Sequence, residues 1–195
     1  LRQWLQDEAS TARKASGPGT ALAPLIAVRP LLRLDDGRQE GRPTAAVWVR
    51  LDCGKLASEE WPWVLEVALL TGQTAPGITP SKKLPKSSSD DAPAHRLAVA
   101  LLAGRQGAEV EALSAVARQS DWARENAAGW YWLARSGRIL EQQSAGDLGA
   151  WRDRLLAVLL SRQRGDGLWE EKDGSVSGRV WASALALQAM ILCLA

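Results

Sequence analysis

Three kinds of side chain in this sequence could do chemistry: clustered carboxylates, a single imidazole and scattered hydroxyls. Asp35-Asp36, Asp90-Asp91 and the group Asp166, Glu170 and Glu171 are candidates for general acid or base work. Such work needs a cleft and a shifted pKa. Asp35-Asp36 opens the polar turn 35–41, Asp90-Asp91 falls in a stretch rich in Pro and Ser, and Asp166 sits between Gly165 and Gly167. All three settings predict solvated turns. Ser161, Ser175 and Ser183 have no histidine partner in a nucleophile–base arrangement. The one histidine is His95, expected on the surface near a helix start. Cys53 and Cys193 are too few for a disulfide framework and lack metal-ligand spacing. A glycine-rich phosphate loop is also missing. The reading from these residues leans away from an enzyme, with no catalytic residue, metal or cofactor assigned.

The elements that must position these residues divide the chain into three parts. Residues 1–71 form an N-terminal segment. A short helix is expected at Leu1–Lys14, ended by the Gly and Pro of 17–19. Around the turn 35–41, Val47, Val49 and Leu51 alternate with Trp48 and Arg50, the two-residue period of a strand. This predicts a β-hairpin from 25–34 and 44–51, with a pair of short helices as the competing reading. Pro62 suits the first turn of a helix running to Leu70. Residues 72–93 carry four prolines, a serine triplet and a lysine pair, and are expected to be a disordered linker.

From 94 to 195 the pattern is helical. Helices are expected at Ala94–Ala103, Ala108–Arg118, Ala127–Glu141 (broken or kinked near Gly137), Leu148–Arg162 and Gly178–Ala195. In the second, Val110, Leu113 and Ala117 share a stripe; in the fourth, Trp151, Leu155 and Leu159 do. The last is apolar on nearly every side, which predicts burial between layers.

Two copies of one unit are visible here. Gln163-Arg164-Gly165-Asp166-Gly167-Leu168-Trp169 separates one pair of helices, and the shorter Gln119-Ser120-Asp121-Trp122 separates the preceding pair. Gly129 and Trp132 recur 49 residues later as Gly178 and Trp181. A period of this size implies stacked helix pairs. Asp166-Gly167 suits a tight turn. Gln163 can donate to backbone groups left open at a neighbouring helix end. Trp169 can cover the junction while its indole N–H finds an acceptor. Gln119, Asp121 and Trp122 take the same roles in the first copy. Trp130, Trp132 and Trp181 are candidates for lining an apolar or cation-stabilising cavity, against the alternative of plain core packing.

Gln163, Gly167 and Trp169 match the Gln-x-x-x-Gly-x-Trp repeat of squalene cyclases, which is related to repeats in protein prenyltransferase β subunits. Gly129–Ala195 resembles the terminal repeat of squalene cyclase-like proteins of planctomycete-type bacteria, down to the helix beginning Gly178-Arg179-Val180-Trp181-Ala182-Ser183-Ala184. The resemblance covers the second half of the chain. It implies a mainly α fold, a partial α/α toroid of stacked helix hairpins; the short β-hairpin expected in the N-terminal third is a separate reading, from its two-residue period. The family's cyclases use an Asp-x-Asp-Asp acid, which this sequence lacks. Its prenyltransferases hold zinc through Asp, Cys and His; Asp52, Cys53 and His95 are the nearest approach, without the rest of that motif.

What the resemblance implies is therefore a noncatalytic squalene cyclase-like repeat domain, a scaffold or a binding module for a protein or an apolar, isoprenoid ligand. The alternative is the C-terminal piece of a terpene cyclase whose acid motif lies outside this chain. A sequence opening on Leu1 and closing on Ala195 after an apolar run is expected to be part of a longer polypeptide or larger toroid. Composition narrows the partners. A net charge of +2 with Lys and Arg dispersed excludes a nucleic-acid surface. No apolar run reaches the length of a transmembrane helix. Ten Trp beside one Tyr and no Phe place nearly all the aromatic surface in indoles.

Overall fold

A computed structural model of the chain describes residues 60–71, 92–143, 148–170 and 176–194. The helix expected at Leu1–Lys14, the β-hairpin, Asp35-Asp36, Asp52, Cys53 and most of the linker 72–93 lie outside them. The described residues are mainly helical and contain no strand. The chain divides into two compact units, Leu1–Ser89 and Asp90–Ala195. In the first, helix α1 (Trp61–Thr71) has Pro62 in its opening turn and buries Trp61, Trp63, Val64, Leu65, Val67 and Ala68.

The second unit holds five helices: α2 (Pro93–Leu102), α3 (Ala108–Gln119), α4 (Ala127–Gln142), α5 (Gly149–Arg162) and α6 (Val176–Leu194). A 3₁₀ turn, Trp122–Arg124, joins α3 to α4. Pro93 opens α2 rather than closing the linker, because proline at the first helical position costs no hydrogen bond. The helix ends before Gly104, where the N–H groups of Gly104 and Arg105 return to the carbonyls of Leu101 and Ala100.

The packing alternates. Helix α4 lies between α2 and α6, α3 packs on α2, and α5 packs on α4 and α6. Helices α2, α4 and α6 thus form one row, with α3 and α5 against it. The expected stripes explain the contacts: Val110 and Ala117 are buried on α3, and Trp151, Leu155 and Leu159 on α5. Central α4 buries Trp130, Tyr131, Trp132, Leu133, Ala134 and Leu140.

Three expectations need correction. Helix α4 runs unbroken through Gly137. A Cβ at that position would stand 3.1 Å from Trp151 Nε1 and 3.2 Å from Cδ1, so the glycine admits the indole of α5 without breaking α4. His95 is buried at 9% exposure, since the helical period places it on the face of α2 shared by Ala98 and Leu102. Helix α6 is buried on one side only: Ala182, Leu185, Ala186, Ala189 and Cys193 are inside, whereas Val180, Leu187, Ile191 and Leu194 face out.

Cys193 is a free, buried thiol. Burial pushes its pKa from 9.0 up to about 11, against a lowering by the Arg152 guanidinium. The sign follows: the raised folded pKa gives a stabilisation that is complete below pH 9 and is lost as pH climbs to about 11. Titrated unfolding of the native chain beside Cys193→Ala should therefore show the native chain losing stability faster over that window. The thiol should also resist alkylation near pH 8 until denaturant is added.

Candidate functional site

The described residues bring the repeat-turn side chains together at helix ends. An α-helix leaves its last carbonyls without intrahelical donors. Ala117 lies in the last turn of α3 and Leu159 in the last turn of α5, both buried. Trp122 Nε1 donates to the Ala117 carbonyl at 2.6 Å, and Trp169 Nε1 donates to the Leu159 carbonyl at 2.8 Å. Each indole is about 1% exposed, so each satisfies a buried carbonyl that water does not reach. The two junctions perform the same chemistry.

Their aspartates also correspond. Asp121 Oδ1 accepts from the Ala123 N–H and Asp166 Oδ1 from the Leu168 N–H, both at 3.1 Å and both two residues ahead. These are Asx turns that set the approach of the tryptophan. Arg124 pairs with Asp121 and Arg164 with Asp166. Gly167, at φ 81°, takes the left-handed backbone that the second turn requires.

The glutamines differ from expectation. Gln163 Nε2 donates at 2.8 Å to the Gly167 carbonyl within its own turn, rather than to a neighbouring helix end. Gln163 is extended at the C-cap of α5, and its amide closes the turn that follows. Gln119 closes α3 on the exposed surface. The link between helices belongs to Trp169 instead. Its indole binds α5, and its backbone N–H donates at 3.0 Å to Ser183 Oγ on α6.

Arginines of α5 complete the first junction. Arg154 donates to the carbonyls of Arg118 and Ser120, and Arg162 donates to that of Ala123. The Arg154 guanidinium lies 4.2 Å from the Trp122 ring centre, and Trp122 meets Trp151 at 4.9 Å with planes tilted by 57°. Arg118 lies 5.9 Å from the far ring, that of Trp151. Two tilted indoles thus each carry a cation near the ring. Trp151 Nε1 donates to the Leu133 carbonyl, holding α5 on α4. This arrangement was not read from the sequence. Its one signal is that Trp151 and Arg154 stand three apart on α5, one turn from Leu155.

The three candidate cavity residues separate. Trp132 is fully buried, Trp181 is half-buried on α6, and Trp130 borders a half-open cavity of about 480 Å³. Trp130 Nε1 donates to the Trp122 carbonyl at 2.8 Å. Ala123 and the polar side chains of Arg124, Glu125, Asn126, Arg162, Arg164 and Glu170 form the other walls. Glu125 packs against Gly129, and burial holds its carboxyl above the usual carboxylate range. The cations here are engaged, Arg124 by Asp121, Arg164 by Asp166 and Glu170, and Arg162 by a carbonyl. Two of the three arginines are thus held by carboxylates, and the apolar part of the wall comes from Trp130 and Ala123.

Among the described residues, no three His, Cys, Asp or Glu side chains gather as a metal-binding group, and no helix is long and apolar enough to cross a membrane. No known family, curated protein or solved structure matches the chain.

Proposed function

We propose that this chain is a noncatalytic α/α repeat domain of the squalene cyclase-like type, part of a toroid of stacked helix pairs, serving as a scaffold or as a binding module for a protein or an apolar, isoprenoid ligand. The observation that carries the reading is the paired junction. Trp122 and Trp169 each close the C-terminal turn of the preceding helix, beside an Asx turn built on Asp121 or Asp166. Chemistry repeated at equivalent places is what a stacked-repeat architecture requires of its corners.

The charged side chains at these corners support the same reading. Asp166 spends its carboxylate on its own turn and on Arg164, which suits a structural residue better than a proton donor. The test is product analysis of the purified chain incubated separately with squalene and with farnesyl diphosphate plus an acceptor peptide. No cyclised hydrocarbon and no prenylated peptide are expected. Either product above the no-protein blank overturns the reading.

A further inference from the structure

We infer that the cavity beside α3 binds a short peptide with free ends, held between Glu111 and Arg118. The cavity is half open and holds about 680 Å³, within the roughly 300–1,000 Å³ of small-molecule sites. The sequence of α3 makes the room. Counting back from the carbonyls that the two junction indoles serve, α5 turns Leu159, Leu155 and Trp151 inward, whereas α3 turns in Ala117, Ser114 and Val110. Smaller side chains at matching places leave space on α3 that the second copy fills. Ser114 is the odd member of the set. It is 8% exposed, and its hydroxyl has no hydrogen-bond partner. Ser120 and Ser161 each return their O–H to a carbonyl three residues back, and Ser114 does not. Buried polar groups left in this way are rare. A ligand lying along α3 can supply the partner.

The charges on the wall name the ligand class. Glu111 and Arg118 both line the cavity, and among the described residues neither pairs with an opposite charge. Glu109, beside them on α3, is by contrast taken by Arg105. A lone anion or a lone cation would leave one of the two unmatched, and an isoprenoid would leave both. A zwitterion matches both. Its length follows from the helix. Seven residues of α3 separate the two Cα atoms by about 10 Å. Three extended residues span about 10 Å as well. The ammonium of a tripeptide therefore meets Glu111 while its carboxylate meets Arg118, and Ser114 lies between them, one helical turn from each. The side-chain amides of Gln106 and Gln143 also line the cavity. Each offers a donor and an acceptor, the complement of a peptide bond. Val110 and Leu140 give apolar contact to small side chains.

The inference rests on this cavity and not on the squalene cyclase-like reading. Calorimetric titration of the full chain with trialanine should show one saturable site. N-acetyl-trialanine and trialanine amide should each bind about tenfold more weakly, because each lacks one charge-assisted hydrogen bond. Glu111→Gln should weaken the free peptide by the same factor and leave the N-acetyl form unaffected, and Arg118→Gln should behave likewise toward the amide. Ser114→Ala should weaken all three peptides severalfold with the helical circular dichroism unchanged. The blocked peptides probe the native chain, so the outcome does not hang on a variant that folds. No saturable binding, blocked ends that bind as well as free ones, charge variants that weaken free and blocked peptides equally, or a folded Ser114→Ala that binds as the native chain does would each overturn the proposal.

Discussion

Trp169→Ala is expected to remove about 3–5 kcal/mol of stability from the unit Asp90–Ala195. The side chain is 1% exposed, and alanine leaves a cavity that helices held at both ends close poorly. The indole N–H is lost with it, so the Leu159 carbonyl is buried without a donor. Domains of this size are stable by about 5–15 kcal/mol in total, so the loss is a large part of the whole. Trp169→Phe separates the two contributions. It keeps most of the apolar contact and removes the donor, which should cost about 1–3 kcal/mol. Urea unfolding followed by helical circular dichroism measures both variants. A Trp169→Phe as damaging as Trp169→Ala would place the whole effect in the hydrogen bond, and an undisturbed Trp169→Ala would remove the junction from the structural core.

Trp122→Ala should be comparably severe, about 3–5 kcal/mol, for a broader set of reasons. It removes one of two donors to the Ala117 carbonyl (Ser120 Oγ is the other), one ring of the Trp122–Trp151 pair and the platform beneath Arg154. The ring pair can be isolated by a double-mutant cycle. Trp122→Ala and Trp151→Ala together should cost less than the sum of the two single changes, by about 0.5–1.5 kcal/mol. Strict additivity would mean that the contact at 4.9 Å contributes nothing beyond burial. Exposed Arg154 should matter much less than the indole it covers.

Much of the helical unit was legible because its signals are local. Gly104 marks a helix end whatever packs nearby, and the four-residue spacing of Trp151, Leu155 and Leu159 designates a buried stripe before any partner is known. Burial of both Trp122 and Trp169 also follows from the turns that carry them. The misreadings arise where long-range packing decides. Gly137 resembles a helix break until the indole of Trp151, fourteen residues further on, fills the space its missing side chain leaves. Gln163 has several acceptors within reach, and its neighbours alone do not choose among them. His95 is polar at a helix start, yet the face it occupies turns inward. The uniform apolarity of α6 says that it has faces to cover without saying how many the rest of the chain covers. The arginine contribution is hardest to foresee, because Arg154 and Arg162 on α5 look like ordinary solvent-facing cations.

Those two arginines have a consequence for the order of assembly. The carbonyls they serve belong to Arg118, Ser120 and Ala123, between 34 and 39 residues earlier in the chain. During synthesis, the end of α3 and the turn after it emerge well before the groups that close them. Until α5 arrives, water must serve those carbonyls and the outer ring of Trp122 lies bare. A chain halted between α4 and α5 is therefore sticky at its newest corner, which becomes secure only when α5 has docked.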